Sequence, residues 1–162
     1  LAKSGSKALA RDAPCPCRDP GETVTYGDCC SRFHLVEDVG RSTLTDPRAL
    51  VRARFTAFQL GLLPFARVTE SSSRPTLSAF DPRTRYKRLE LLDADLDPKD
   101  PRVLFGVDVF SRGTDVSFVE LSSFAIEDGR LVYVTGLTAR KREGERLGPL
   151  SIQDFEARLR SS

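Results

Sequence analysis

The chain has 162 residues, 40% hydrophobic and 30% charged, with a formal net charge of +2, four cysteines, one histidine and neither Met nor Trp. That composition suits a water-soluble domain of about 100 residues with appendages. Its longest apolar stretch, Leu60 to Ala66, is broken by Gly61 and Pro64, far short of the roughly 20 residues a membrane helix needs. Four thiolates and one zinc ion would cancel the positive balance, so charge gives no support to a nucleic-acid partner.

Residues 1–12, LAKSGSKALARD, are basic and polar with little to bury, and are expected to form a flexible tail. They are too poor in apolar residues for a signal peptide, and a start without Met suggests a trimmed or tag-derived end. Residues 13–36 hold every cysteine and the sole histidine: Cys15 and Cys17 form a C-x-C pair between two prolines, Cys29 and Cys30 are adjacent, and His34 follows. Two close pairs joined by a loop of this length can converge on a tetrahedral zinc ion. Cys29 and Cys30 could bridge to each other only through a strained ring. Crossed disulfides from Cys15 and Cys17 to Cys29 and Cys30 need an oxidising compartment that no secretory segment points to. Four protein ligands close the zinc shell, so the metal is read as structural; reduced cysteines without a secretory segment lead to the expectation of a cytoplasmic chain. The fourth ligand is Cys30 or His34; the alternative for His34 is a supporting place beside the site.

After a linker at residues 35–45, Asp46-Pro47 opens a helix running to about Leu60, with Asp as N-cap and Pro at the first helical position. Leu50, Val51, Phe55, Ala57 and Phe58 fall on one face, and Arg54 falls within that stripe. A guanidinium entering a core needs a carboxylate or several carbonyls to meet it. Arg54 is therefore a strut, a side chain reaching back to water, or an anion-binding group in a pocket. Arg52, Thr56 and Gln59 lie on the opposite face and are expected to be unremarkable surface residues. A second short helix ends near Thr69, and a serine-rich loop closes at Arg74-Pro75.

From Arg85 the periodicity changes to two, predicting strands over Arg85–Asp93, Val103–Ser111, Asp115–Glu127 and Arg130–Leu137, with turns at Gly113 and Asp128-Gly129. Two helices followed by an antiparallel meander make an α+β fold in which a curved sheet wraps the helices. On the third strand Glu120 and Ser122 share a face with Val116, Phe118, Phe124 and Ile126. Glu120 is expected to pair with Arg54 or, failing that, with Arg74, unless this face meets solvent. The charged run ARKREGER within residues 138–162 reads as a solvated extension. Ser151 then caps a short helix whose Ile152, Phe155 and Leu159 could dock on the core or on a partner.

Taken together, CPC, then CC with a histidine four residues on, resembles the SEC-C motif, a zinc-binding segment of the SecA translocation ATPase and other bacterial proteins. LVRARFTAF at Leu50 to Phe58, Arg74-Pro75 and SSFAIEDGRLVYVTG extend the likeness to the YchJ-type SEC-C proteins over about residues 14–137. The chain departs from that pattern in places. Arg18-Asp19-Pro20-Gly21 replaces the usual Ser-Gly step, Thr69-Glu70-Ser71 stands for a Trp-His-Pro run, and Val119 replaces a histidine before Glu120. The resemblance implies a nuclear transport factor 2-like (NTF2-like) cone over residues 37–137 behind the zinc knuckle. Cones of this shape often hold a pocket between sheet and helices, here with Arg54, Arg74, Glu120 and Ser122. No second acid or histidine accompanies Glu120, so catalysis is not expected. The first functional expectation is a non-catalytic, zinc-stabilised module that docks a protein partner. The alternative is a small-molecule binder or weak enzyme using the Arg54 and Glu120 pocket. A filled core around Arg54 favours the first, and an open one the second.

Overall fold

The computed structural model describes residues 8–35 and 44–161. Most of the expected tail, residues 1–7, and most of the expected linker, residues 36–43, lie outside the described residues. A short helix α1 (Ser31–His34) leads to α2 (Pro47–Leu60) and α3 (Leu63–Val68). Five strands follow, β1 (Thr84–Asp95), β2 (Arg102–Ser111), β3 (Thr114–Asp115), β4 (Phe118–Glu127) and β5 (Arg130–Arg140), and then α4 (Ile152–Arg160).

The start and stop of α2 follow its sequence. The Asp46 side chain accepts a hydrogen bond from the Arg48 amide at 2.9 Å, Pro47 takes the first turn, and Gly61 ends the helix in the left-handed region at φ 75°. The strands form an antiparallel sheet in the order β1-β2-β4-β5, with the two-residue β3 paired to β2. Two hairpin turns carry positive φ at both central residues, Arg112-Gly113 and Asp128-Gly129. Register shifts between Tyr86 and Arg88, between Leu91 and Asp93, and between Ser123 and Phe124 bend the sheet around α2. The predicted third strand is interrupted. The Ser117 hydroxyl takes the place of a backbone partner for the Val109 amide (3.1 Å), so the ladder breaks between β3 and β4.

The sheet is buried on both faces. Toward α2, Leu89, Val103, Val107, Val109, Phe124 and Leu131 join Leu50, Val51 and Phe55 in one core. On the convex face Leu104, Val119 and Leu121 pack under Leu150, Ile152 and Phe155. The last helix thus docks on its own sheet, with the Ser151 hydroxyl capping it by accepting from the Asp154 amide. Val119, at the position where the family pattern has histidine, is a packing residue beneath that helix. Phe155→Ala should cost about 3 kcal/mol in denaturant unfolding, since it removes a ring that is 2% exposed and leaves a cavity. An unchanged midpoint would mean that α4 is not part of the cooperative unit.

The charged extension is not wholly solvated. β5 continues to Arg140, and the next residue, Lys141, turns inward to pair with Asp108; their side chains are 3% and 6% exposed. Gly106 leaves room for the lysine stem along β2. A charge run reads as surface because alternate charges are averaged, and that hides the one that the strand's period of two turns inside.

Candidate functional site

The metal-ligating chemistry is built on two turns that face each other. Pro14 bridges to Thr25, the Cys15 amide donates to Val24 O at 3.1 Å, and Tyr26 N donates to Ala13 O at 2.8 Å, so the C-x-C segment and the loop before Cys29 form one small clasp. The Arg11 carbonyl accepts from the Gly27 amide and lies so close that a β-carbon at residue 27 would press on it. The clasp brings Cys15, Cys17, Cys29 and Cys30 together, all buried, with their sulfurs within 4.8 Å of one another. Individual separations are 3.5 Å for Cys15–Cys17, 3.5 Å for Cys17–Cys29, 3.6 Å for Cys17–Cys30 and 3.9 Å for Cys29–Cys30.

All four cysteines are free. Their spacing is far too long for disulfides, and it fits the edges of a tetrahedron around a metal with bonds of about 2.3 Å, which are about 3.8 Å. The thiols do not titrate alike. The hydrogen bond with Cys17 draws the Cys15 thiol down to about 6, while the sulfurs of Cys15 and Cys17, with burial, hold Cys30 far above the ordinary thiol range. A divalent cation at the centre removes that conflict by accepting four thiolates.

His34 stands beside this cluster with both ring nitrogens in use. Nε2 lies 2.8 Å from Ala53 O and must donate to it, so Nδ1 accepts from the Tyr26 hydroxyl at 2.9 Å. The ring also stacks edge-on against Phe65, and burial lowers its pKa, favouring the neutral form. His34→Gln should retain a full equivalent of metal while losing about 1–2 kcal/mol of stability through the Ala53 and Tyr26 contacts. Metal analysis of that variant showing less than one equivalent would instead make the histidine a ligand.

The supposedly plain face of α2 is where this clasp sits. Thr56 is 0% exposed and its hydroxyl donates to Cys30 Sγ at 3.4 Å, Arg52 Nη1 donates to Cys17 O at 2.8 Å, and His34 reaches Ala53. Ala53 and Ala57, both 0% exposed, are the small residues that allow the approach. Helical periodicity marks only the apolar face, and a threonine between alanines leaves no mark. The cysteines therefore belong to the same core as Leu50 and Phe55.

On the other side of α2 lies a cavity of about 240 Å³ between the helix and the concave face of the sheet. Arg54, Arg74, Glu120 and Ser122 all line it, together with Glu70 and seven aromatic rings, among them Phe58, Phe118 and Tyr133. The expected Arg54–Glu120 pair is corrected here: Arg54 Nη2 meets Glu70 Oε1 at 3.0 Å, and Nη1 donates to Ala66 O at 3.0 Å and Thr69 Oγ1 at 2.7 Å. Glu70 is the nearer carboxylate because residues 69–71 lie along β5. Ser71 N donates to Tyr133 O and Tyr133 N to Thr69 O, each at 2.8 Å, making a parallel bridge. Burial lowers the Arg54 pKa, and the Glu70 carboxylate opposes that shift. Arg54 and Arg74 both lie over the Tyr133 ring, 5.0 and 4.6 Å from its centroid.

Glu120 has a different environment. It accepts from the Ser122 hydroxyl, and among the described residues no cation lies within ion-pair distance of it. Its carboxyl lies against the bare α-carbon of Gly136 on β5, where a β-carbon would collide with it. Burial, followed by the nearby Glu120 carboxylate, pushes the Tyr133 hydroxyl up to about 12.

Residues 46–136 match the family model described as YchJ, middle NTF2-like domain. The chain is also 36% identical over 128 residues to a UPF0225 protein of Corynebacterium efficiens, covering 77% of this chain and 93% of that one. It belongs to the YchJ family. A UPF0225 protein of Cupriavidus metallidurans is 33% identical over 133 residues, covering 76% of this chain and 88% of the relative. In fold, this YchJ-type SEC-C protein is similar to the solution structure of a SEC-C motif containing protein from Rhodopseudomonas palustris. The TM-score is 0.61 at 23% identity, over 76% of this chain and 96% of that one. A four-cysteine cluster able to hold a metal ion thus precedes an NTF2-like α+β domain in a YchJ protein. No helix among its described residues is long and apolar enough to cross a membrane.

Proposed function

We propose that this YchJ protein binds a small molecule in the cavity between α2 and the sheet, and that a zinc ion on Cys15, Cys17, Cys29 and Cys30 braces the helix that carries Arg54. The observation that carries this reading is the open space of about 240 Å³ with Arg54 and Glu120 at its wall, where a filled core would have favoured a docking module. Zinc is favoured over other metals by an all-sulfur, tetrahedrally spaced donor set. Bound there, it would supply a cross-link and no open coordination position. Reduced cysteines suit the cytoplasm. A protein-docking role for the metal segment is the second reading. It is the weaker one because Arg52, Ala53 and Thr56 tie that segment inward to α2.

Native mass spectrometry of the full chain with a mixture of small aromatic fragments tests the proposal. One zinc per chain is expected, with fragment adducts that disappear in Ser122→Leu, whose larger side chain fills the cavity. Ser122→Leu that is folded by circular dichroism yet carries the same adducts would sink the binding site. A zinc-loaded chain that takes up neither uncharged nor zwitterionic aromatic fragments would do the same.

A further inference from the structure

The ionic arrangement of the cavity restricts what it can hold. Its wall carries two guanidiniums, Arg54 and Arg74, and two carboxylates, Glu70 and Glu120, but they are not paired two by two. Glu70 serves both arginines. It makes a close ion pair with Arg54 at 3.0 Å and reaches Arg74 Nε only at 3.8 Å, where Nε makes no hydrogen bond. Arg74 uses one terminal nitrogen on Val134 O at 3.2 Å, and its other terminal nitrogen has no hydrogen-bond partner among the described residues. One guanidinium, that of Arg74, thus has no close carboxylate on its side of Tyr133, where its side chain is 34% exposed and open to an incoming anion. Glu120, with hydroxyl donors and, among the described residues, no cation within ion-pair distance, although Arg54 lies near enough to feel its charge, is the matching negative charge. Between and around them the lining is aromatic and aliphatic: Phe55, Phe105, Phe118, Phe124, Val51 and Val107.

A ligand of net charge would leave one of these groups without a counter-charge, Glu120 at the cavity wall or Arg74 where the cavity meets solvent, and an uncharged one would leave both. We infer that the cavity takes a small zwitterion with an apolar body, of the amino-acid class, its ammonium at Glu120 and its carboxylate at Arg74. The aromatic faces add to the hold on the ammonium, and the planar fork of Arg74 suits a carboxylate. This inference rests on the cavity being a binding site, and it specifies the ligand chemistry of that site.

Isothermal titration calorimetry on the zinc-loaded full chain with three probes that share one phenylethyl body decides it: L-phenylalanine, 2-phenylethylamine with the ammonium alone, and 3-phenylpropanoate with the carboxylate alone. L-Phenylalanine should bind at least about tenfold more tightly than either, because each end adds a charge-assisted contact. That ranking is read on the unaltered protein. Glu120→Gln should then abolish the preference for L-phenylalanine over 3-phenylpropanoate, and Arg74→Gln the preference over 2-phenylethylamine. A one-ended probe that binds as tightly as L-phenylalanine overturns the zwitterion. So does uptake of uncharged aromatic fragments with no binding of the three probes, and in both cases cavity binding stands. If neither probes nor fragments bind, both readings fall.

Discussion

Replacing Cys17 with serine will strip the metal from the protein and lower its melting midpoint by roughly 10–20 °C, corresponding to a loss on the order of 5 kcal/mol in a chain of this size. Cys17 is the centre of the sulfur cluster: it lies within 3.6 Å of the three other sulfurs, is 0% exposed, and offers its carbonyl to Arg52. Losing it does more than open a surface clasp. The four cysteines share a core with Leu50, Val51 and Phe55, so a metal held by them would restrain the helix on which one wall of the cavity is built. A chelator should reproduce the shift in the unaltered protein, and added zinc should reverse it. Calorimetric scans that coincide with and without metal would show that the knuckle does not contribute to the stability of the domain.

Arg54→Met is expected to cost about 3–5 kcal/mol, because it leaves the Glu70 carboxylate buried without its partner. The two side chains are 9% and 13% exposed, so solvent screens them little. Glu70→Gln should cost less, since the amide still accepts from the guanidinium, and the Arg54→Met, Glu70→Gln double variant should recover part of the loss. A double-mutant cycle read by denaturant unfolding should give a coupling of about 2 kcal/mol between Arg54 and Glu70, and below about 0.5 kcal/mol between Arg54 and Glu120. Equal couplings would return Glu120 to the role that Glu70 holds in this structure.

The residue pair in that cycle shows where reading the sequence stops. The caps of α2, its length and the burial of Arg54 follow from Asp46-Pro47, Gly61 and a stripe of apolar residues at helical spacing. The strands follow from a period of two, and their turns from Gly113 and Asp128-Gly129. These are local signals, in which the side chains that decide the structure are neighbours in sequence. Arg54's partner is not local in that sense. Glu70 sits in an irregular segment with no period, at a place where the chain departs from the family pattern, and only its parallel pairing with Tyr133 aims it at the helix. The same holds for Thr56, whose burial depends on a clasp 26 residues away, and for Lys141, whose charge hides an inward turn. Arg74, Glu120 and Ser122 were legible as polar groups near one pocket, and Phe55, Phe58, Phe118 and Phe124 as rings on the same faces, yet Tyr86, Phe105 and Tyr133 were not. The rings come from α2, β1, β2, β4 and β5, and they converge only once the sheet curves.

The short pairing of residues 69–71 with β5 has a consequence for behaviour in a crowded solution. An open sheet ends in two strands whose outer backbone groups can recruit another chain. At one end, Tyr133 of β5 has its outward amide and carbonyl already taken by Thr69 and Ser71. At the other, β1 is bulged twice and carries Arg85, Lys87 and Arg88 within four residues. The same segment that delivers Glu70 to the helix therefore also blunts an adhesive edge. Changes that loosen it, such as removing the Glu127 carboxylate that holds Ser71 and Ser72, should favour self-association before they unfold the domain.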